Sequence, residues 1–528
     1  MKTFLTILPL ILLSPVPLFA QSGGTVTVRT AGELISAIFA LNNYDGPRTI
    51  LLEDGVYTIA NYNSFYLTQP DITIRSVSGN RDAVIIQGDS TFHPDGSRTG
   101  GTIGNLFGVA AENFTLENVT VGNVANHAVQ LQVDIDNCIF RNVRFFNTGE
   151  QMLKVASDGI ADQSDNGLVE DCVFDYPAGI GPQWYIGGVD AHRARNWTVR
   201  RCTFRGIRSP SGSVAEHAIH FWEACINTLV EENVIVDCDR GIGFGLGADS
   251  GAGTTGGIIR NNMIYHRAVT GFADVGIGLE NAAAVQVYNN TILLQSGYPN
   301  AIEYRFAVTT AEIYNNLANT IIRQRDGATG SLGNNLTTAT AAWFVAPATA
   351  DLHLASRLAA VVDQGRSVSG LVADIDGDLR PQGAGIDIGA DEYVEAQPAT
   401  FADWRAANFS DTDLTDDAIS GPNADPDAAG LSNFGRYAFN LPARGPVASS
   451  LTVGVPATAG GSTYFTINFN RRSAATDLSY MVESSNDLAT WTPMQTYAPG
   501  TPTRVTVQDT VPMDSAPSRF LRVHVTTP

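Results

Sequence analysis

Lysine is almost absent from this chain: of 528 residues only Lys2 and Lys154 are lysines, so arginine carries nearly all of the positive charge. Charged residues of either sign are also few, at 16%, and acidic residues outnumber basic ones by 53 to 32, which leaves a net charge of -21. Nucleic acids and anionic membrane surfaces repel an acidic chain. The composition therefore argues against both as partners.

Cysteine and long apolar runs are scarce as well. The five cysteines fit no zinc-binding spacing, and their odd number leaves at least one thiol outside any disulfide. We interpret them as small buried apolar residues rather than as a disulfide framework. The one long apolar run, from Phe4 to Phe19 after Lys2, is typical of a signal peptide over residues 1–20. We therefore predict an exported protein, secreted into the periplasm or the medium, with no membrane insertion.

Short strand-like segments repeat along the middle of the chain. Aligning FTLENVTV, IFRNVRFF, LVEDCVFD, TVRRCTFR, LVEENVIV, IIRNNMIY, VQVYNNTI and EIYNNLAN brings one position into register. Its spacing varies, from 24 residues (119 to 143) to 31 (202 to 233). The position is occupied by Val119, Val143, Cys172, Cys202, Asn233, Asn262, Asn290 and Asn316.

This irregular repeat of short strands, with turn residues between them, predicts an all-β parallel solenoid over residues 21–395. Inside it, the four asparagines should stack as an amide ladder in which each side chain bonds the next, continued by Cys172 and Cys202. Before the repeat, Thr30 and Glu33 have capping-box spacing at the start of an amphipathic helix. A helix there would cover the open edge of the first strands.

The C-terminal part changes character after residue 395. Residues 396–448 predict a linker and a degenerate calcium-loop-like module, in which Asp425 and Asp427 remain but Ala429 replaces a useful carboxylate. Alternating apolar residues over 449–528 predict a small antiparallel β-sandwich, which we interpret as an accessory domain. Just before the boundary, the alternating Asp374, Asp376 and Asp378 either hold Ca²⁺ or form an Asx-turn loop.

The helix-capped start, the ragged repeats and the asparagine ladder resemble the right-handed parallel β-helix proteins of the pectate-lyase-like superfamily. The resemblance covers about residues 25–395, and DIDGDLRP…GAGIDIGADEY is similar to the ending of many exported bacterial β-helix proteins. It implies a secreted enzyme acting on polysaccharides, in most members a lyase and in some a hydrolase or esterase. Related lyases use a lysine base with an arginine nearby, often with Ca²⁺ neutralising the uronate. The resemblance thus implies Lys154 and Arg240 as counterparts and Ca²⁺ as a cofactor.

Polar residues cluster where the repeat should present one face of its strands. We align the segments LKV, VDAH, IHFW, IGFGLG and IGLE. Because side chains alternate along a strand, one set of aligned residues then points inward, namely Leu153, Val189, Ile219, Ile242 and Ile277. One outward column then consists of Lys154, Asp190, His220, Gly243 and Gly278, and a second of His192, Trp222, Gly245 and Glu280. The glycines leave room for a ligand, which suits an extended sugar chain.

The candidate catalytic residues are Lys154, His192, His220 and Arg240. As the single lysine after the signal peptide, Lys154 is a candidate general base, and the alternative is a salt bridge to Glu150. The histidines could act as acid or base, or hold a metal of unassigned type.

The candidate substrate-binding residues complete this face. Asp190 and Glu216 could orient a histidine, bind Ca²⁺ or act as a carboxylate pair, and His217 belongs to the same cluster. Arg193, like Arg240, could clamp a uronate carboxylate through a bidentate fork, or cap a turn. Trp222 and Tyr185, with Trp184, could stack on sugar rings or simply pack over the solenoid.

We therefore predict a monomeric, secreted polysaccharide lyase that cleaves a uronic-acid polymer by β-elimination. Two alternatives stay open at this point. One is a glycoside hydrolase of the same fold that uses paired carboxylates such as Asp190 and Glu216. The other is a glycan-binding or surface protein without catalytic activity.

Overall fold

The computed structural model describes residues 24–43, 46, 48–160, 162–248, 253–267, 273–295, 297–394, 399–447, 451–459, 462–498, 500, 504–515 and 518–526. The predicted signal peptide over residues 1–20 lies outside these ranges. The chain divides into two compact units. The first consists of residues up to Thr198 with Cys202–Ile226, and the second of Val199–Arg201 with the chain from Asn227 onward.

The first unit is built from parallel strands that belong to three sheets. The strands of its first sheet are Thr25–Val28, Thr49–Leu52, Thr73–Ser76, Thr115–Glu117, Ile139–Arg141 and Leu168–Glu170. Those of the second are Gly55–Thr58, Val84–Gln87, Thr120–Val124, Arg144–Thr148, Val173–Asp175 and Thr203–Arg205. Those of the third are Ser64–Leu67, Asn105–Val109, Val129–Leu131, Leu153–Val155, Val189–His192 and His217–Trp222.

The chain visits the three sheets in turn, and each strand pairs in parallel with the equivalent strand of the next repeat. The aligned position of the repeat lies inside: Val119, Val143, Cys172 and Cys202 are all buried. Phenylalanines stack there as well, with the ring centroids of Phe145 and Phe174 4.5 Å apart. Shorter pieces complete this unit, namely Arg81–Ala83 as a 3-10 turn, the hairpin Ser90–Phe92 with Arg98–Gly100, and the paired segments Ser164–Asp165 and Ala194–Arg195.

The N-terminal helix extends over Ala31–Leu41. The Thr30 side chain accepts a hydrogen bond from the backbone N–H of Glu33, and the Glu33 carboxylate accepts one from the N–H of Arg29. Its apolar stripe, Leu34, Ile38 and Leu41, is buried. The predicted capping helix is thereby confirmed in position and in the face that it buries.

The second unit repeats the three-sheet pattern. Its first sheet contains Leu229–Glu231, Ile258–Arg260, Val285–Tyr288, Thr310–Tyr314 and Thr329–Gly333. Its second contains Val234–Val236, Met263–His266, Thr291–Leu294 and Leu317–Ala318. Its third contains Arg240–Phe244, Ile277–Glu280, Asn300–Arg305 and Ile321–Gln324. Thr254–Thr255 pairs with Ala282–Ala283, and strand Thr198–Arg200 is shared between the two units.

The predicted asparagine ladder lies within this unit. Asn233, Asn262, Asn290 and Asn316 are fully buried, and each side-chain amide donates to the Oδ1 of the next at 2.9 to 3.0 Å. Asn335 extends the ladder by one step, with 2.9 Å between Asn316 Nδ2 and Asn335 Oδ1. The strand pairing, the helix and the ladder together confirm the predicted right-handed parallel β-helix.

The region after the last parallel strands folds into small closing elements. These are Ala341–Trp343 and Pro347–Thr349 as 3-10 turns, and the antiparallel pair Phe344–Ala346 and Asp351–Leu354. Asp374 is buried, and its carboxylate accepts backbone N–H groups from Asp376, Asp378 and Glu392. These contacts are those of an Asx-turn loop, and calcium binding by these aspartates stays a prediction.

The C-terminal part contains the predicted antiparallel sheets. One is formed by Thr452–Ala459, Ser462–Asn470 and Arg504–Pro512, and the other by Ser479–Ser485, Thr492–Tyr497 and Phe520–Thr526, with Met513–Ser515 as a 3-10 turn. Four short helices precede them, at Phe401–Asn408, Asp411–Leu414, Asp417–Ser420 and Asn433–Ala438. These helices share one apolar core with the sheets, in which Trp404 and Tyr437 pack with Phe469 and Tyr480. The predicted domain boundaries at 395 and 448 stay predictions.

Two further observations concern the whole chain. All five cysteines are buried free thiols, as the sequence predicts. Among the described residues, no helix is long and apolar enough to cross a membrane.

Candidate functional site

The site lies on four neighbouring strands of the third sheet in the first unit: β1 (Val129–Leu131), β2 (Leu153–Val155), β3 (Val189–His192) and β4 (His217–Trp222). The pairing places Leu153, Val189 and Ile219 in one buried column. The next column along the strands consists of Lys154, Asp190 and His220, preceded on β1 by Gln130, and His192 pairs with Trp222. For this unit the predicted columns are confirmed.

Lys154 lies at the centre of this cluster. Its Nζ donates to Asp190 Oδ2, and it lies 2.8 Å from His192 Nε2. The lysine side chain is 10% exposed and that of His192 14%. The salt bridge considered as the structural alternative therefore exists, but its partner is Asp190 rather than Glu150.

Glu223 orients His192 from the other side. Its Oε2 lies 2.7 Å from His192 Nδ1, and its side chain is 28% exposed. The residue directly follows β4 and adopts φ of 53°. With Nδ1 donating to Glu223, Nε2 is the acceptor that faces the lysine amine. The result is a continuous line of hydrogen bonds from Glu223 through His192 and Lys154 to Asp190.

Asp190 anchors the inner end of this line. Its Oδ1 accepts a hydrogen bond of 2.8 Å from the Trp222 indole and lies 3.3 Å from His220 Nδ1. Burial alone would raise the pKa of this carboxyl, but the neighbouring imidazoles of His192 and His220 and the charge of Lys154 hold it well below its usual range. Asp190 is therefore a buried, ionised carboxylate.

Trp222 packs within the cluster. Its ring stacks on His220 at 5.6 Å between centroids and lies 4.1 Å from that of His192. Because its indole N–H donates to Asp190, Trp222 holds the cluster in place. Its ring also forms part of the surface of the cluster.

His127, Glu150 and Gln151 extend the site on the β1 side. His127 Nδ1 donates to the Gln151 carbonyl at 2.7 Å, and its Nε2 lies 3.2 Å from Glu150 Oε2. Burial lowers the pKa of His127 to about 4, so this imidazole is neutral at pH 7. Burial also raises the pKa of Glu150, although Lys154 and Arg98 oppose that shift.

Glu216, His217 and His220 form a second group at the start of β4. The rings of His217 and His220 lie 4.5 Å apart, and Glu216 Oε2 is 3.8 Å from His220 Nδ1. Both histidines are buried. His220 thus contacts this group as well as Asp190.

The remaining predicted residues occupy different places. Arg193 follows β3 at φ of 46°, and its backbone N–H donates to the Glu223 carbonyl at 2.9 Å. Tyr185 is half-buried in the loop before β3, with its ring 5.5 Å from that of Trp184. Arg240 belongs to the second unit, where its Nε pairs with Asp274 at 3.1 Å. The roles of all three stay predictions.

The calcium ion implied by the resemblance does not fit the carboxylates described so far. Ca²⁺ takes six to eight oxygen ligands, whereas the group at the start of β4 offers one carboxylate and two imidazoles. The Asp374 carboxylate already accepts hydrogen bonds from backbone N–H groups. The Asp425 carboxylate does so too, from the N–H groups of Ala429 and Gly430. We derive no step through Ca²⁺.

The residues of this site that were not predicted from the sequence include His127, Gln151 and Glu223. The first had a signal, because NHAVQL at 126–131 repeats the pattern of EHAIHF at 216–221 and aligns His127 with His217. Glu223 had none, because it lies in a turn whose direction the strand pattern does not determine.

No protein-family model and no curated protein matches the sequence. Three solved structures with a similar fold are a pectate lyase, Pel9A (14% identity, covering 71% of this chain and 98% of that chain, TM-score 0.49), an alginate lyase from Paenibacillus sp. str. FPU-7 (15%, 59% and 99%, 0.30) and the catalytic domain of a GH87 alpha-1,3-glucanase (11%, 59% and 68%, 0.32). At these identities the similarity concerns the fold alone, and the fold itself is established by the strand pairing described above.

Proposed function

We propose that this protein cleaves a uronic-acid-containing polysaccharide by β-elimination, with Lys154 as the base. The observation that carries the proposal is the position of the lysine amine, which is held between the Asp190 carboxylate and the His192 imidazole. Both contacts fix its direction, and the partly exposed side chain of His192, itself held by Glu223, borders it.

The line of hydrogen bonds offers a way to obtain a neutral amine. A protonated Lys154 can pass one proton to His192 Nε2, because Glu223 accepts from Nδ1 and stabilises the imidazolium that forms. The amine that remains has a lone pair for proton abstraction. Asp190 keeps the side chain in place throughout, since its carboxylate stays ionised.

In the reaction, Lys154 Nζ takes the C5 proton of a uronate. The electron pair of that C–H bond forms the C4–C5 double bond and the C4–O bond breaks. The leaving oxygen takes its proton from the His192 imidazolium, which returns to the neutral form. A positive charge at the substrate carboxylate is needed to acidify C5. We assign this role to Arg193, because it directly follows His192 and its backbone is tied to Glu223.

The hydrolase alternative receives less support from this geometry. Paired-carboxylate hydrolysis requires one carboxyl group that donates a proton to the leaving oxygen. Asp190 is fully buried, its pKa lies well below the usual range, and it is committed to Lys154 and Trp222. It is therefore poorly suited to either role in such a pair.

The test is to incubate the purified protein with alginate, pectate and glycosaminoglycans, and to follow the ultraviolet absorbance of unsaturated uronate. The proposal predicts an increase on at least one polymer. New reducing ends without unsaturation would support a hydrolase instead. Binding without either product would support the glycan-binding alternative, and both of these outcomes would overturn the proposal.

A further inference from the structure

The group at the start of β4 has the composition of a metal site. Glu216, His217 and His220 each offer a ligand atom, and these atoms all lie within 4.8 Å of one another. The two histidines are 7% and 1% exposed. Two imidazoles and one carboxylate from a single short segment are a donor set that proteins use for Zn²⁺ and similar divalent transition metals.

Gln151 provides an independent observation beside this group. Its side chain is fully buried, and neither Nε2 nor Oε1 has a hydrogen-bond partner among the described residues. Buried amides nearly always have a partner, whether protein or bound water. An ion at this place would bring coordinated water, which can donate to the amide oxygen.

Gly187 explains how Gln151 comes to lie there. A Cβ atom at this position would be 3.2 Å from Gln151 Cγ and 3.4 Å from Glu216 Cβ. The side chains of Gln151 and Glu216, which lie just before β2 and β4, therefore approach the Gly187 backbone closely. A larger residue at this position would displace them.

We infer that Glu216, His217 and His220 bind one divalent transition-metal ion of the Zn²⁺ type, with a water in the open position beside Gln151. Three protein ligands and one water complete the four-coordinate geometry that Zn²⁺ prefers. The inference goes beyond the proposed elimination, which uses Lys154 and His192 and needs no such ion. The two imidazole ligands also distinguish this site from calcium sites, whose ligands are oxygen atoms.

The test is metal binding by the full chain after treatment with a chelator. Equilibrium dialysis should show one tightly bound Zn²⁺ per chain, and Co²⁺ in its place should give the visible absorption of a four-coordinate site. The near-isosteric change Glu216→Gln and the change His217→Gln should each weaken Zn²⁺ binding by about 10- to 100-fold or more. Circular dichroism checks that both variants are folded, and the Co²⁺ spectrum of the unaltered chain does not depend on them.

Two controls use other histidines. His524→Gln changes a histidine that is 48% exposed on a C-terminal strand, and it should leave binding unchanged. His353→Gln disrupts a second group of suitable residues among those that the structure describes, His353 with Asp376 and Asp391, and should also leave binding unchanged. Loss of binding in His353→Gln, equal affinity for Ca²⁺, or no retained Zn²⁺ would overturn the inference. None of these results depends on whether the protein is a lyase.

Discussion

The Lys154 amine has two neighbours, Asp190 and His192, which have different roles. Asp190 is buried and ionised, so it holds the amine by charge. His192 shares a hydrogen bond with the amine and is itself held by Glu223. In our proposal His192 and Glu223 together control the proton on the lysine, although Glu223 does not contact the substrate.

Glu223→Gln tests this positioning role. The amide keeps the size of the side chain but stabilises an imidazolium less well, so we expect kcat to fall by about 10-fold or more. KM should change little, and the pH profile of kcat should move. A rise in KM with unchanged kcat would instead indicate that Glu223 contacts the substrate. The measurement is steady-state kinetics on the polymer that the wild type cleaves.

The sequence predicted part of this site and not the rest, for physical reasons. The period-two alternation of short apolar strands determines register, and therefore it brought Lys154, Asp190 and His220 into one column. The same rule treats an outward column as open to solvent. In the structure Asp190 and His220 are buried, because Trp222 packs over them and its indole bonds the carboxylate.

At the scale of elements, the asparagine ladder is the interaction best predicted from sequence. Amides recurring at one aligned position of a parallel stack lie one strand spacing apart, so each can bond the next. Helix Ala31–Leu41 was predictable for a similar reason, since its cap and its apolar stripe are local patterns. The shared core of Trp404 with Phe469 was not, because contacts distant in sequence leave no periodic signal.

Asn290→Ala tests the ladder. Asn290 Oδ1 accepts from both the backbone N–H and the amide of Asn262, and its own amide donates to Asn316 and to the Ile259 carbonyl. Truncation leaves several of these buried groups unpaired, so the free energy of unfolding should fall by about 2–4 kcal/mol. Urea denaturation of the variant and the wild type measures it.

The matched control is Asn63→Ala, at an exposed asparagine. It should change the free energy of unfolding by less than about 0.5 kcal/mol. A similar small effect for Asn290→Ala would mean that the ladder contributes little to stability.

For the whole molecule, the pH dependence of stability should depend on His353 near the end of the parallel strands. Its ring lies 2.8 Å from Asp376 and 2.6 Å from Asp351. The hydrogen bond with Asp376, together with the charges of Asp376 and Asp391, raises the pKa of His353 to about 10 despite its burial.

Because this pKa is raised above its ordinary value of 6.5, the folded state binds the proton more tightly than the unfolded state. The stabilisation is complete below about pH 6.5 and is lost as the pH rises towards 10. Thermal unfolding of the wild type and His353→Gln should therefore differ most near pH 6 and least near pH 10. A difference that stays constant over this range would refute the assignment.

The central claim, a lysine base in a β-elimination, is tested most directly by Lys154→Arg. Arginine keeps the positive charge opposite Asp190, so the fold should persist, but a guanidinium is not deprotonated in proteins and cannot accept the C5 proton. On the uronate polymer that the wild type cleaves, the rate of increase in ultraviolet absorbance should fall by about 10²- to 10⁴-fold. A folded Lys154→Arg protein that produces unsaturated uronate at the wild-type rate would contradict the account.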